Sequence, residues 1–237
     1  MRGGPEGTRL LLVCHASTPA TARAAFPHDE PLDGQGLRRA GALAGGLGPG
    51  WSGPAAQGHL GGLGHPGAPE VPDGGRSGTA GPHVPDGPDG PVDPPGVRGP
   101  AALRAPERRC LQTAEALGLR AGPDPLLADW DHGRWRGMTL AEVEAAEPAE
   151  LAAWLTDPAA APHGGESVLD LLGRVSGWLS AVAPGRTVAV THPAVVRAAV
   201  VHALDAPARS FWRVDAAPLT RVALTGRGGR WRLRLPA

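Results

Sequence analysis

The sequence contains no lysine, asparagine, isoleucine or tyrosine, and only two cysteines, two methionines and two phenylalanines among its 237 residues. With lysine absent, every long basic side chain is an arginine, a usage that fits a coding bias toward G+C better than a functional choice. Cys14 and Cys110 fall in different elements, which excludes a disulfide framework and suits reduced thiols in a cytosolic setting. Charge of one sign is lacking too: 23 basic residues balance 23 acidic ones, so composition gives no electrostatic case for a nucleic-acid or membrane partner. No apolar run approaches the ~18 residues of a membrane span, and Met1–Thr8 has no charged-then-apolar signal pattern. A soluble cytoplasmic protein is expected. Aliphatic periodicity is missing from Gly45 to Pro100, where 30 of 56 residues are Gly or Pro. Such a stretch cannot bury enough surface to offset its ordering entropy and is expected to be a disordered insertion in a surface loop.

What is there is organised around two strand ends. Leu10-Leu11-Leu12-Val13 is a short uncharged run of the kind buried on both faces of a sheet, and it leads through Cys14 to His15. Near the other end, Thr187-Val188-Ala189-Val190-Thr191 leads to His192, and Pro193 then opens a helix. In open α/β sheets ligands sit beyond the carboxyl ends of strands. The helix start beside His192 adds free N–H groups and a partial positive charge, so the pair points to an anion site, and a phosphate fits.

Between these ends, strands alternate with helices. Asp33 can cap a helix carrying Leu37, Ala40 and Leu43; Ala101–Arg104 reads as a weak second strand; Pro106 opens a helix that carries Arg109 and Cys110 and ends at Gly118. The Thr139/Glu142 and Ser167/Asp170 pairs mark two further helix starts. Val168, Leu171, Val175, Trp178, Leu179 and Val182 form the clearest apolar stripe. Two late strands, near 220–225 and 231–235, read as an antiparallel edge hairpin. The expected architecture is α/β, a three-layer α/β/α sandwich with a mostly parallel sheet. It forms one domain over residues 9–237 after a short tail, interrupted by the 45–100 insertion.

In this order, Leu12-Val13-Cys14-His15-Ala16-Ser17-Thr18, Glu107-Arg108-Arg109-Cys110-Leu111-Gln112-Thr113-Ala114, Asp129 to Gly137, Gly164-Gly165-Glu166-Ser167 and Val190-Thr191-His192 resemble the histidine phosphatase superfamily, the phosphoglycerate mutase-like proteins. The resemblance implies a phosphomonoester hydrolase acting on a small phosphorylated substrate, with no metal and no organic cofactor. His15 matches the nucleophile that becomes phosphohistidine, and His192 the second catalytic histidine. Asp129 matches the general acid, although Asp131 is equally acidic two residues on. Arg109, with Cys14 and Thr18 at the strand end, would line the phosphate site.

The departures are specific. Cys14 stands where the family's first arginine belongs, and Ala16 replaces the following glycine. Either another arginine, such as Arg134 or Arg136, reaches the pocket, or the pocket is weakened. That leaves a second reading, a weak or inactive member that binds a phosphorylated ligand or partner. A third, with Cys14 as nucleophile, lacks the required arginine six residues on, where Ala20 stands.

Overall fold

A computed structural model describes residues 7–47, 51 and 100–235. The expected disordered insertion falls almost wholly outside the described residues, as does most of the N-terminal tail.

The described chain runs β1 (Thr8–Cys14), α1 (Pro19–Ala22), α2 (Gly34–Ala42), β2 (Ala101–Arg104), α3 (Arg108–Ala116), β3 (Gly122–Pro123), α4 (Leu140–Ala146), α5 (Pro148–Thr156), α6 (Val168–Ala181), β4 (Gly185–Thr191), α7 (Pro193–Ala203), β5 (Arg221–Arg227) and β6 (Arg230–Arg234). The strands form one sheet in the order β3-β2-β4-β1-β5-β6. The first four of these are parallel to one another, and β5 and β6 are antiparallel additions. In β1 and in β4 the last five residues are consecutively buried. Side chains alternate between faces along a strand, so unbroken burial means that helices cover both faces of the sheet. The three-layer, mostly parallel architecture read from the sequence is the observed one.

Local chemistry sets the element ends. Asp33 accepts from the Gly36 N–H at 2.6 Å to start α2, and the Thr139/Glu142 and Ser167/Asp170 pairs both form complete capping boxes. The β5–β6 hairpin turns at Gly228 and Gly229, whose φ values of 58° and 76° suit the primed turn that matches strand twist. Arginine at 230, 232 and 234 gives the exposed edge strand β6 a charged rim that discourages pairing with other chains.

Some elements differ from expectation. The helix expected from Pro106 begins at Arg108, with Glu107 at its N-cap. Between β1 and the helix capped by Asp33 lies a further short helix, α1, which Thr18 and Thr21 cap reciprocally. The helix starting at Thr139 stops at Ala146, and Pro148 opens α5 directly after it.

Candidate active site

The register between β1 and β4 creates the site. Cys14 is paired with Thr191, so the chain leaves the two strands with His15 and His192 side by side at the carboxyl edge. The rings lie 5.2 Å apart, centroid to centroid, at 64°. The His15 N–H bonds to the Thr191 carbonyl at 2.8 Å, locking the two strand ends together. The Ala16 N–H donates to Thr113 Oγ1 at 3.0 Å, which joins the His15 loop to α3, and Thr113 in turn donates to the Arg109 carbonyl.

The two histidines have opposite electrostatics. His15 Nδ1 is 2.7 Å from the Ala16 carbonyl, an acceptor only, so Nδ1 carries the proton and Nε2 keeps its lone pair. Burial, then the positive charges of His192 and Arg109, depress its pKa to about 3. Burial alone would depress His192 likewise. The Asp129 carboxylate, the Cys110 sulfur and the bond to Glu107 outweigh it and raise His192 to about 10. His192 Nε2 donates to Glu107 Oε2 at 2.9 Å, and Nδ1 lies 3.3 Å from Asp129 Oδ2.

Asp129 sits between two cations. Arg109, fully buried from α3, donates to Asp129 Oδ2 at 2.6 Å, and its Nε and Nη1 have no partner among the described residues. Burial would raise the Asp129 carboxyl, but His192 and Arg109 hold it well below the usual carboxylate range. Glu107 is likewise pulled down, to about 2, against the opposing effect of its burial, chiefly by its bond to His192. At neutral pH the site therefore holds two cations and two carboxylates, with a neutral His15 beside them.

The loop carrying Asp129 is fixed from below by Arg174 of α6. Its guanidinium donates to the carbonyls of Leu126, Ala128 and Asp129 and pairs with Glu166 at 2.7 Å, while Glu166 accepts from the Asp131 N–H. A Cβ at Gly165 would stand 2.0 Å from the Asp131 carbonyl oxygen, so only glycine admits this approach. Trp130 donates from its indole to the Glu166 carbonyl and packs with Trp154 and Phe211, while Trp135 is fully buried and bonds Glu147.

The structure brings His15, Asp129, Arg109 and His192 together. His15, Thr18 and Asp129 line a cavity of about 480 Å³ with Trp130, Trp212 and Arg197. Thr18 caps α1 and donates its hydroxyl to Glu30 Oε1 at 2.9 Å, so its oxygen is already engaged. Cys14 is fully buried in the core and is not in the lining of that cavity; burial pushes its thiol up to about 12, leaving it neutral. Asp131 pairs instead with Arg136 at 2.8 Å. Of the two arginines that could stand in for the missing strand-end arginine, Arg134 pairs with Glu147 on the surface, whereas Arg136 pairs with Asp131 and lines a neighbouring cavity with Glu107, Arg109 and Asp129; neither lines the cavity of His15.

Sequence reasoning missed Glu107, Arg174 and Arg197. Arg197 had a usable signal, since it lies four residues after Pro193 on the same helical face, and Pro193, Ala194 and Arg197 all line the cavity. Among the described residues, Glu107, Cys110 and His192 also bring one metal-ligating atom each to within 4.8 Å of one another. Those donors already serve the charged His192, which would have to give up its bond to Glu107 to take a metal.

Comparison with known proteins accords with this geometry. Residues 96–237 match the family model of the histidine phosphatase superfamily (branch 1), more than half of the chain. The chain belongs to the histidine phosphatase superfamily. The match begins after β1 and does not include His15, which the β1–β4 register places beside His192. Glucosyl-3-phosphoglycerate phosphatase of Mycolicibacterium vanbaalenii is 48% identical over 71 residues, 28% of this chain and 32% of that protein. Phosphoserine phosphatase 1 of Hydrogenobacter thermophilus is 31% identical over 107 residues, 43% of this chain and 51% of that protein. The matched stretches thus span a third to a half of these curated relatives. Among solved structures, a mycobacterial glucosyl-3-phosphoglycerate phosphatase in complex with VO3 superposes with a TM-score of 0.67 at 23% identity, covering 96% of this chain and 97% of that one. The alpha-ribazole phosphatase of Shigella flexneri gives 0.66 at 16% identity, over 96% and 95%. At these identities the structural likeness establishes a shared fold. Among the described residues, no helix is long and apolar enough to cross a membrane.

Proposed function

We propose that this histidine phosphatase superfamily member hydrolyses phosphomonoesters of small organic molecules through a phosphohistidine at His15. The observation that carries the reading is the pairing of a neutral, tautomer-fixed His15 with a cationic His192 at neighbouring strand ends, 5.2 Å apart. His15 Nε2 attacks phosphorus as the ester P–O bond breaks in line, and Arg109 and His192 balance the charge on the equatorial oxygens. Asp129 delivers a proton to the leaving oxygen. Asp129 is ionised at rest, so the proton arrives with the monoanionic ester. Once the phosphoryl group draws Arg109 and His192 to itself, the carboxylate loses the partners that suppress its basicity. Water then attacks phosphorus, the P–N bond breaks, and Asp129 takes the water's proton.

Cys14 lowers the ceiling of this activity. An arginine at the strand end would add two directed donors and a positive charge, whereas a neutral buried thiol adds neither. Losing one preorganised donor costs on the order of 10²–10³ in rate. Cys14→Arg, if it folds, is expected to raise kcat/KM at least about tenfold. Unchanged or lower activity in a folded variant would show that the thiol position has a different role.

The second reading, a binding protein for a phosphorylated ligand, draws on the same substitution and on the Arg109–Asp129 pair that already neutralises the anion pocket. Phosphate release from a panel of sugar, hydroxy-acid and nucleotide monoesters, measured beside vanadate binding, separates the two. Turnover supports the hydrolase, and binding without turnover supports the second reading.

A further inference from the structure

The cavity that His15 opens into holds one cation that phosphoryl transfer does not use. Arg197, on the first turns of α7, is half-buried and lines that cavity. Its Nε donates to the Val214 carbonyl at 2.9 Å, and its guanidinium carbon stands 5.9 Å from the centre of the Phe211 ring. Both contacts fix the plane of the group. No carboxylate among the described residues lies within ion-pair distance of it, and no hydrogen bond of Nη1 or Nη2 is made among them. Asp129, also in the lining, is paired with Arg109 and His192, and the Thr18 hydroxyl donates to Glu30. Most of the remaining wall is apolar, formed by Phe26, Trp130, Trp154, Leu155 and Trp212.

We infer that Arg197 is an anion subsite for the leaving group, and that the preferred substrate is a phosphomonoester whose organic part carries a carboxylate. The inference rests on the phosphatase reading above and goes beyond it by naming the substrate class. With Nε held by Val214, the guanidinium offers its two Nη groups end-on, the arrangement that matches the two oxygens of a planar carboxylate in a bidentate bond. Its fixed plane removes part of the ordering cost of binding, and the apolar wall weakens competition from water. The phosphoryl group would sit at His15, Arg109 and His192, the carboxylate at Arg197, and the carbon frame against the tryptophans.

The test uses two matched pairs of different reach, 3-phosphoglycerate with glycerol 3-phosphate, and 4-carboxyphenyl phosphate with phenyl phosphate. Each is assayed on the whole protein and on Arg197→Gln and Arg197→Lys. The wild type is expected to favour the carboxylate member of at least one pair by about tenfold or more in kcat/KM, mostly through KM, as charge-assisted hydrogen bonds of this strength imply. Arg197→Gln should bring that ratio close to one, and Arg197→Lys should restore part of it. Equal ratios in wild type and Arg197→Gln for both pairs would overturn the inference. So would a preference for propane-1,3-diol bisphosphate over both carboxylates, which would make the subsite a second phosphate site. If Arg197→Gln does not fold, the wild-type ratios and the Arg197→Lys variant carry the decision. If no ester is turned over, the hydrolase reading fails separately, and quenching of tryptophan fluorescence by the same pairs decides the subsite on binding alone.

Discussion

His15 and His192 occupy equivalent places, the carboxyl ends of adjacent parallel strands, and both are buried. Yet one is held neutral to about 3 and the other charged to about 10. Their sequence settings are alike, an apolar run and then histidine. The difference lies in what reaches them from elsewhere. His15 meets a backbone carbonyl and two cations, whereas His192 meets Glu107 from the start of α3 and Asp129 from the loop after it. On the proposed mechanism, two histidines whose environments drive their pKa values apart would divide the work into nucleophile and charge stabiliser. Burial by itself lowers both, so the carboxylates are what make the site asymmetric.

Breaking either half of this pair should cost different amounts. Removing the proposed nucleophile in His15→Ala is expected to lower kcat by about 10⁴ or more, since it takes away the atom that would attack phosphorus. His192→Ala removes a charge partner and is expected to cost roughly 10²–10³. Phosphate release on one good ester checks both, and equal losses would contradict the division of roles. The next test sharpens the contrast. Glu107→Gln keeps an oxygen for the Asp129 N–H but withdraws the negative charge from His192. The pKa of His192 should fall from about 10, and the alkaline limb of kcat/KM should move to lower pH, with little change at neutrality.

The smallest effect is on stability. His15 has a folded pKa below the ordinary 6.5, so its contribution is fully present above about 6.5 and is lost as pH falls toward 3. His192 has a raised folded pKa, so its contribution is fully present below about 6.5 and is lost as pH rises through 10. Melting curves should show His15→Ala less sensitive than wild type on the acid side and His192→Ala less sensitive on the alkaline side. Shifts of a few degrees are expected for each. Identical pH profiles for all three proteins would mean that the two histidines are not set apart in the folded state.

The sequence carried the parts of this account that depend on neighbours along the chain. The runs ending at His15 and His192, the boxes at Thr139 and Ser167, and the hairpin at Gly228 and Gly229 all express local rules, and all are present. The helices that were not foreseen are those whose signals are weak or overlapping: α1 uses a threonine in place of Glu or Gln at the third position of its box, and α5 starts where α4 has barely ended. The cluster of His15, Arg109, Asp129 and His192 was legible as a set of residues, but its charge pattern was not. Glu107 acts on a histidine 85 positions away and Arg174 on a loop about 45 positions away, distances at which spacing carries no signal. Arg197 could be seen only as a helix-face neighbour of Pro193.

The most direct test of the central claim is to trap the phosphoryl-enzyme. Because Nδ1 of His15 is committed to the Ala16 carbonyl, transfer must occur to Nε2. Rapid quenching of a labelled ester with alkali, followed by peptide mapping and nuclear magnetic resonance of the adduct, should give an acid-labile, base-stable phosphoryl group on Nε2 of His15. A phosphoryl group on His192, on Nδ1 of His15 or on Cys14, or turnover with full activity in His15→Ala, would contradict it.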